Sequence, residues 1–210
     1  MAGHRRHMQE AIDSCFVEGS PFTEAHFMRW LGVHLPAEWT LFLANGMPIR
    51  DAEHFFAPNR VRRVFANRGV SGIDGQIATM AGLATASGRP IAAVLGDQSC
   101  LHDLNSLALL AKLKTPAVLF ISNNFGSGIF SHLPVAKENK HFEELFAAAH
   151  DFRFKQAAAM FNLPYETKLS GDLFKTTAPI VVEFFTSRKE NTSFQRQILQ
   201  KCQQTLLERV

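Results

Sequence analysis

Two short words of this sequence place metal-binding and turn-forming residue types together: Gly96-Asp97-Gln98-Ser99 and Asn123-Asn124-Phe125-Gly126. Asp97 and Asn124 stand 27 positions apart. A carboxylate, an amide oxygen and a nearby backbone carbonyl are hard oxygen ligands. They suit Mg²⁺ or Mn²⁺ that keeps a water and takes its other positions from a substrate's phosphates. Gly96 and Gly126 let the backbone turn sharply and come close to a bulky anion. The ligand that these residue types predict is a diphosphate with its metal.

The elements that must position them are legible around the two words. Ile91–Leu95 and Ala117–Ile121 are apolar runs too short for ordinary helices. Between them Leu104, Leu107, Ala108, Ala111 and Leu113 repeat at helical spacing. Strand, helix, strand makes two parallel neighbours whose carboxyl ends open on one sheet edge, where α/β proteins hold ligands. Asp97 and Asn124 therefore share a rim. Trp39–Ala44, Val61–Phe65 and Pro179–Phe185 read as further strands. Helices are predicted from an N-cap at Thr23 to about Leu35, from about Ser71–Gly75 to Ser87 with Gly88 as stop, over His141–His150, over Lys155–Phe161, and from about Thr192 to Arg209. Val135–Lys140 reads as polar and mobile. The fold class expected is α/β, doubly wound, with a mostly parallel sheet of five or six strands and helices on both faces.

The words around the rim are narrower than the rim itself. Gly-Asp-x-Ser followed by Asn-Asn resembles the metal-diphosphate motif of thiamine diphosphate-dependent enzymes. Asn67-Arg68-Gly69-Val70-Ser71-Gly72-Ile73-Asp74-Gly75, Asp103-Leu104-Asn105-Ser106-Leu107-Ala108-Leu109-Leu110 and Ile129-Phe130-Ser131-His132-Leu133-Pro134 together resemble the 2-succinyl-5-enolpyruvyl-6-hydroxy-3-cyclohexene-1-carboxylate synthases of menaquinone biosynthesis, over roughly Phe22 to Phe161. The resemblance implies thiamine diphosphate held with Mg²⁺ or Mn²⁺. Asp97, Asn124 and the Gly126 carbonyl would be the metal ligands, and Ser71, Ile73, Gly96, Ser99 and Ile129 would be further cofactor contacts. Ile73 would be the apolar wedge that bends the cofactor. The implied partners are 2-oxoglutarate and isochorismate, with Arg50 and Arg68 on their carboxylates and Asn45, Ile129, Phe130 and Leu133 lining the substrate pocket. A guanidinium's planar fork suits carboxylates.

Each position also has an ordinary reading. Asn45-Gly46-Met47-Pro48-Ile49-Arg50-Asp51 is a ligand loop if the resemblance holds and a turn with a surface arginine if it does not; Gly46 stands where the family usually has serine. Ile73, Ile129, Phe130 and Leu133 would otherwise pass as core. Asp103 reads as a cap for its own helix. Arg60, Arg62 and Arg63 read as solvated surface, and His132, His141 and His150 as surface or capping residues without metal spacing. Gly75, Ala78, Gly82 and Ala86 would permit close packing on the sheet or another subunit.

With 46% hydrophobic and 20% charged residues the 210-residue chain is globular, and its scattered net charge of +3 asks for no nucleic acid. No stretch is long and apolar enough for a membrane span or a signal peptide, so the expected setting is cytoplasmic. Cys15, Cys100 and Cys202 are an odd set, expected to stay reduced; a reactive Cys100 at a helix start is the less favoured reading. Residues 1–8 resemble an appended leader, which leaves 9–210 as one diphosphate-binding domain.

The family's pyrimidine-binding and middle domains are not seen here, and with them the glutamate that activates the cofactor. The expectation is a C-terminal fragment, a truncated frame or half of a split enzyme. It would be inactive alone, and would either form a homo-oligomer or associate with the missing domain. A non-catalytic Mg-diphosphate module and a fragment of an acetolactate synthase or pyruvate oxidase-like enzyme are the alternatives.

Overall fold

The computed structural model describes residues 2–56, 61 and 63–208. Six strands alternate with helices: β1 (Thr40–Leu43), β2 (Val64–Phe65), β3 (Ile91–Gly96), β4 (Ala117–Asn123), β5 (Tyr165–Glu166) and β6 (Pro179–Phe185). All pair in parallel, in the order β2-β1-β3-β4-β6-β5. The chain leaves β1 toward one edge and returns to β3 on its other side, so the winding reverses between β1 and β3. That crevice is where an open parallel sheet offers a ligand site.

The helices are α1 (Ala2–Asp13), α2 (Glu24–His34), α3 (Met47–Phe55), α4 (Gln76–Ser87), α5 (Asp97–His102), α6 (Leu107–Leu110), α7 (Val135–Glu138), α8 (Lys155–Met160) and α9 (Arg188–Leu207). Side chains of a strand alternate between faces, and the apolar residues of β1, β3 and β4 divide accordingly. Leu41, Val94 and Phe120 pack with Phe27 and Leu31 of α2, Phe55 of α3 and Phe194 of α9. Phe42, Ala93, Leu95 and Leu119 pack with Ile77 and Met80 of α4, Leu107 of α6 and Ala158 of α8. Both faces are covered, which is the doubly wound arrangement expected.

Thr23 caps α2, its N–H donating to His26 Nδ1 at 3.4 Å, and Gly88 ends α4 in the left-handed conformation at φ 63°. Other boundaries differ from the sequence pattern. Met47–Asp51 is not loop but the start of α3, where Pro48 in the first turn is preorganised for a helix and only Asn45-Gly46 turns. The crossover helix is broken. α5 begins at Asp97 directly after β3, stops at Asp103, and a 3₁₀ turn over Leu104–Ser106 leads into α6. Of the helix expected over His141–His150 only a π-type turn, Phe142–Phe146, forms, and Val135–Glu138 is helical.

α9 starts four residues before Thr192, because Ser187 accepts from the Glu190 N–H, the first half of a Ser-x-x-Glu capping pattern. Within the range expected at Val61–Phe65, β2 is Val64–Phe65, and the Arg63 carbonyl accepts from Leu41 N. Val64 and Phe65 are exposed at the sheet edge, and Arg62 within that range, like Arg60, lies outside the described residues. Residues 2–8 are the first part of α1, which packs along α9. The face of α4 that carries Gly82 and Ala86 is exposed, so these small residues do not pack on the sheet.

Candidate functional site

Three strand ends build the site. Leaving β1, Asn45 is buried and its amide is fully engaged: Nδ2 donates to Asn67 O at 2.8 Å and Gly72 O at 2.6 Å, and Oδ1 accepts from Arg68 Nη1 at 3.2 Å. It ties the Asn67–Gly75 loop beneath β1 and aims Arg68. Gly46 follows at φ 104°, a conformation L side chains rarely adopt, and its carbonyl accepts from Arg50 one turn along α3.

Leaving β3, Asp97 is buried at the first position of α5. Its Oδ1 accepts from Gln98 N at 2.6 Å, and its Oδ2 accepts from Asn124 N at 3.1 Å and Gly126 N at 2.9 Å. Burial pushes its pKa up from 3.8 to about 6, and the N–H groups of Gly126, Gln98, Asn124 and Phe125 only partly offset this. His150 stands behind it, Nε2 3.4 Å from Oδ2, with its ring stacked on Phe152. Of the surface or capping roles expected it takes the second: its side chain is 5% exposed and Nδ1 accepts from Phe152 N at 3.2 Å. The reason is that the chain after Phe146 leaves helical conformation and folds back over the β4 loop, where His150 N donates to Phe125 O.

Leaving β4, Asn123 and Asn124 divide the work. Asn123 is structural: Nδ2 donates to Phe152 O and Glu183 Oε1, and Oδ1 accepts from Phe125 N. Asn124 Nδ2 donates to Glu24 Oε1 at 2.8 Å, which leaves its Oδ1 buried and without a partner. Phe125 is left-handed at φ 63° and Gly126 sits at φ 152°, where an added Cβ would lie 2.6 Å from Ala147 O. Only glycine fits that approach.

The strand ends enclose a cavity of about 510 Å³. Asn45, Arg50, Arg68, Ser71, Ile73, Gly96, Asp97, Ser99, Asn124, Gly126, Ile129 and Phe130 all line it. Leu133 does not: it is 48% exposed, beyond the 3₁₀ turn Gly128–His132 that carries Ile129 and Phe130 inward. Cys100 is buried, and its thiol is pushed well up by burial and then by the neighbouring Glu183, Asp97 and Asp103, so it is not a reactive thiol. Arg63 is exposed as expected. Asp103 caps a helix, but α4 and not its own: Oδ2 accepts from Ile77 N at 2.7 Å and Ala78 N at 3.0 Å.

Among the described residues no cluster of three His, Cys, Asp or Glu side chains is arranged to hold a metal. The Asp97, Asn124 and Gly126 set is of another kind, one carboxylate with neutral oxygens, which suits a hard cation that brings its own waters and phosphates. The orphaned Asn124 Oδ1 beside a carboxylate destabilised by burial fits such a cation.

Glu24 also lines the cavity, and nothing in the sequence pattern marks it. As the first residue of an N-capped helix it reads as a favourable charge on the helix dipole, and the partners that give it another meaning are about 100 positions away.

Comparison with known proteins bears on the same stretch. Residues 44–190 match the family model described as "Thiamine pyrophosphate enzyme, C-terminal TPP binding domain". Curated relatives carry the name 2-succinyl-5-enolpyruvyl-6-hydroxy-3-cyclohexene-1-carboxylate synthase. The protein of Chlorobium phaeobacteroides is 38% identical over 202 residues, 91% of this chain and 35% of its own length. That of Rubrobacter xylanophilus is 39% identical over 197 residues, 90% of this chain and 34% of its own. That of Haemophilus ducreyi is 42% identical over 147 residues, 70% and 26% respectively. The chain thus spans about a third of the length of the first relatives it matches.

Proposed function

The chain belongs to the thiamine pyrophosphate enzymes, as their C-terminal TPP-binding domain, and from that premise we propose that it is the diphosphate-and-metal half of a 2-succinyl-5-enolpyruvyl-6-hydroxy-3-cyclohexene-1-carboxylate synthase. The observation that carries this reading is the orphaned Asn124 Oδ1 beside Asp97 in a cavity at the carboxyl ends of β1, β3 and β4. Asp97, Asn124 and the Gly126 carbonyl hold Mg²⁺ or Mn²⁺. Ser71, Gly96 and Ser99 hold the cofactor's diphosphate, while Ile73 and Ile129 support its rings. When bound, thiamine diphosphate supplies a nucleophilic carbon and an electron sink for decarboxylation of a 2-oxo acid.

The chain's own residues bind, orient and desolvate. Arg50 and Arg68 enter the cavity from α3 and the loop before α4, and their guanidinium groups receive the carboxylates of 2-oxoglutarate and isochorismate. Arg68 is held ready by Asn45, whereas Arg50 rests on the Gly46 carbonyl and exchanges that contact for a carboxylate. Phe130 and Ile129 keep water from the reacting carbons. Among the described residues no glutamate of the cavity is free to activate the cofactor, since Glu24 accepts from Ser122 and Asn124. These 210 residues therefore bind the metal-diphosphate weakly and turn over only with a pyrimidine-binding domain, in a homo-oligomer or a partner chain. Three free thiols suit a cytoplasmic setting, and among the described residues no helix is long and apolar enough to cross a membrane.

Titration calorimetry of the chain with thiamine diphosphate and Mg²⁺ tests this. Binding that needs the metal and disappears in Asp97→Ala is the expected result. Equal binding by parent and variant would overturn the assignment.

A further inference from the structure

An asparagine is a metal ligand only with the right end forward. Its amide presents an oxygen on one side and an NH₂ on the other, and nothing in the residue itself chooses between them. At Asn124 the choice is made from behind. Glu24 Oε1 lies 2.8 Å from Nδ2, and a carboxylate can only accept, so the NH₂ is drawn to it and Oδ1 is turned away, to the position where it is buried and unpartnered.

Glu24 is itself fixed. Ser122 Oγ donates to the same oxygen at 2.8 Å, and the Glu24 backbone N–H donates to Asn191 Oδ1 at 3.1 Å. Asn191 Nδ2 in turn reaches Thr186 Oγ1. Gly128 leaves room for the amide nitrogen, because a Cβ there would stand 2.9 Å from Asn124 Nδ2. Asp51 of α3 is buried as well, its Oδ1 accepting from Gln195 Nε2 at 2.7 Å.

We propose that Glu24 is a positioning residue of the cation site: it fixes the Asn124 amide so that oxygen, and not NH₂, faces the metal. This rests on the cation-diphosphate reading above. Outer partners that orient a metal ligand typically change metal affinity about 10- to 100-fold when removed. Glu24→Gln keeps the volume but can offer an NH₂ of its own, so the Asn124 amide is no longer held in one orientation.

The test is a mutant cycle on the 210-residue chain, with Mn²⁺ affinity read by electron paramagnetic resonance in the presence of inorganic diphosphate. Glu24→Gln should weaken Mn²⁺ binding about tenfold or more when residue 124 is Asn. In the Asn124→Asp background, where both ends are oxygen, the same substitution should cost nothing or improve binding, because two facing carboxylates are relieved. A merely structural Glu24 would cost the same in both backgrounds, and that result would overturn the proposal.

A second readout needs no ligand. In chain labelled with ¹⁵N-asparagine, the Asn124 side-chain NH₂ should be protected from solvent exchange in the parent and exchange rapidly in Glu24→Gln. Unchanged protection would overturn the orientation argument even if no Mn²⁺ binds. Loss of protection with no Mn²⁺ binding by the parent would place the failure in the cation reading and leave the orienting role standing.

Discussion

Replacing Asp103 by alanine should damage a helix 26 residues away in sequence. Gly75, at the N-cap of α4, has no side chain with which to satisfy the helix's free N–H groups, and the Asp103 carboxylate does that work from the break between α5 and the 3₁₀ turn. Its Oδ2 takes the N–H groups of Ile77 and Ala78, the second and third residues of α4 and the ones a capping side chain would serve, while Oδ1 takes Ser106 Oγ at 2.6 Å. Alanine leaves one fully buried and one partly buried N–H without an acceptor, at about 1–3 kcal/mol each. It also removes a negative charge from the positive end of the α4 dipole, worth up to about 2 kcal/mol in a partly buried site. The sum is about 2–8 kcal/mol, about 5 at its centre.

For a chain of this length the central value lowers Tm by about 10–20 °C. Thermal melts followed by circular dichroism measure that shift and urea melts at pH 7 the free energy, with Asp103→Asn as the control. The amide oxygen can still accept from α4 while the NH₂ turns to Ser106, so Asn should recover about half of the loss. Hydrogen exchange should localise the damage to the first turn of α4 and to the Asn67–Gly75 loop, which Gln76 and Thr79 hold through Gly72 O and the Asn67 amide. A cost for Asp103→Ala below about 1 kcal/mol would refute the account, since it would mean that α4 finds its cap elsewhere.

In metal-free buffer with chelator, Asp97 should weaken the fold as pH rises. Its pKa is 3.8 before burial and about 6 in the fold, so the native state binds more protons between these values; its contribution is full below 3.8 and lost on passing 6, about 3 kcal/mol in all. The stability gap between parent and Asp97→Ala, from urea melts at pH 4 and 7.5, should move by about that amount in the variant's favour, and a constant gap would refute the shift. Gly126→Ala, which forces a Cβ against Ala147 O in a backbone conformation L residues rarely adopt, should cost about 1–3 kcal/mol in the same melts and abolish metal-diphosphate binding in calorimetry. Cys100 should resist thiol reagents in the native state while the partly exposed Cys202 reacts; mass spectrometry of the labelled peptides reads both.

What was legible in the sequence was what local pattern encodes. The runs Ile91–Leu95 and Ala117–Ile121 are buried on both faces, so their apolar character is continuous, and they became β3 and β4. Asp97 and Asn124 reached one rim because parallel neighbours must end on the same edge. What escaped was either too short or too distant. α3 is only nine residues long and opens on Met47-Pro48 directly after a glycine turn, so Met47–Asp51 looked like loop. Asp103 was read as a cap, but its partner helix is set by packing that no local window contains. The Ser187-x-x-Glu190 start of α9 was present as a pattern and still gave way to the apolar spacing further on. His150 and Glu24 take their roles from Asp97 and Asn124, 53 and 100 positions away, and no periodicity carries that information.

The distribution of satisfied and unsatisfied polar groups separates scaffold from site. Glu183 is fully buried on β6, yet it accepts from Asn123 Nδ2, Phe154 N and Tyr165 OH, so the fold itself completes it. Around Asp97 and Glu24 the fold stops short: Asn124 Oδ1, Asp51 Oδ2 and His150 Nε2 are buried without a hydrogen-bond partner, and burial raises the pKa of Asp97. Such groups cost free energy wherever they occur; among the described residues Thr40 Oγ1, Gln76 Oε1 and Thr115 Oγ1 are others, so half of these orphaned atoms stand around Asp97 and Glu24. A cation arriving at Asp97 and Asn124 reverses the sign of two of these terms together, since it favours the carboxylate and gives the amide oxygen a partner. Binding at this wall should therefore raise the stability of the whole chain as well as fill the site, by an amount that grows with the logarithm of cation-diphosphate concentration above its dissociation constant.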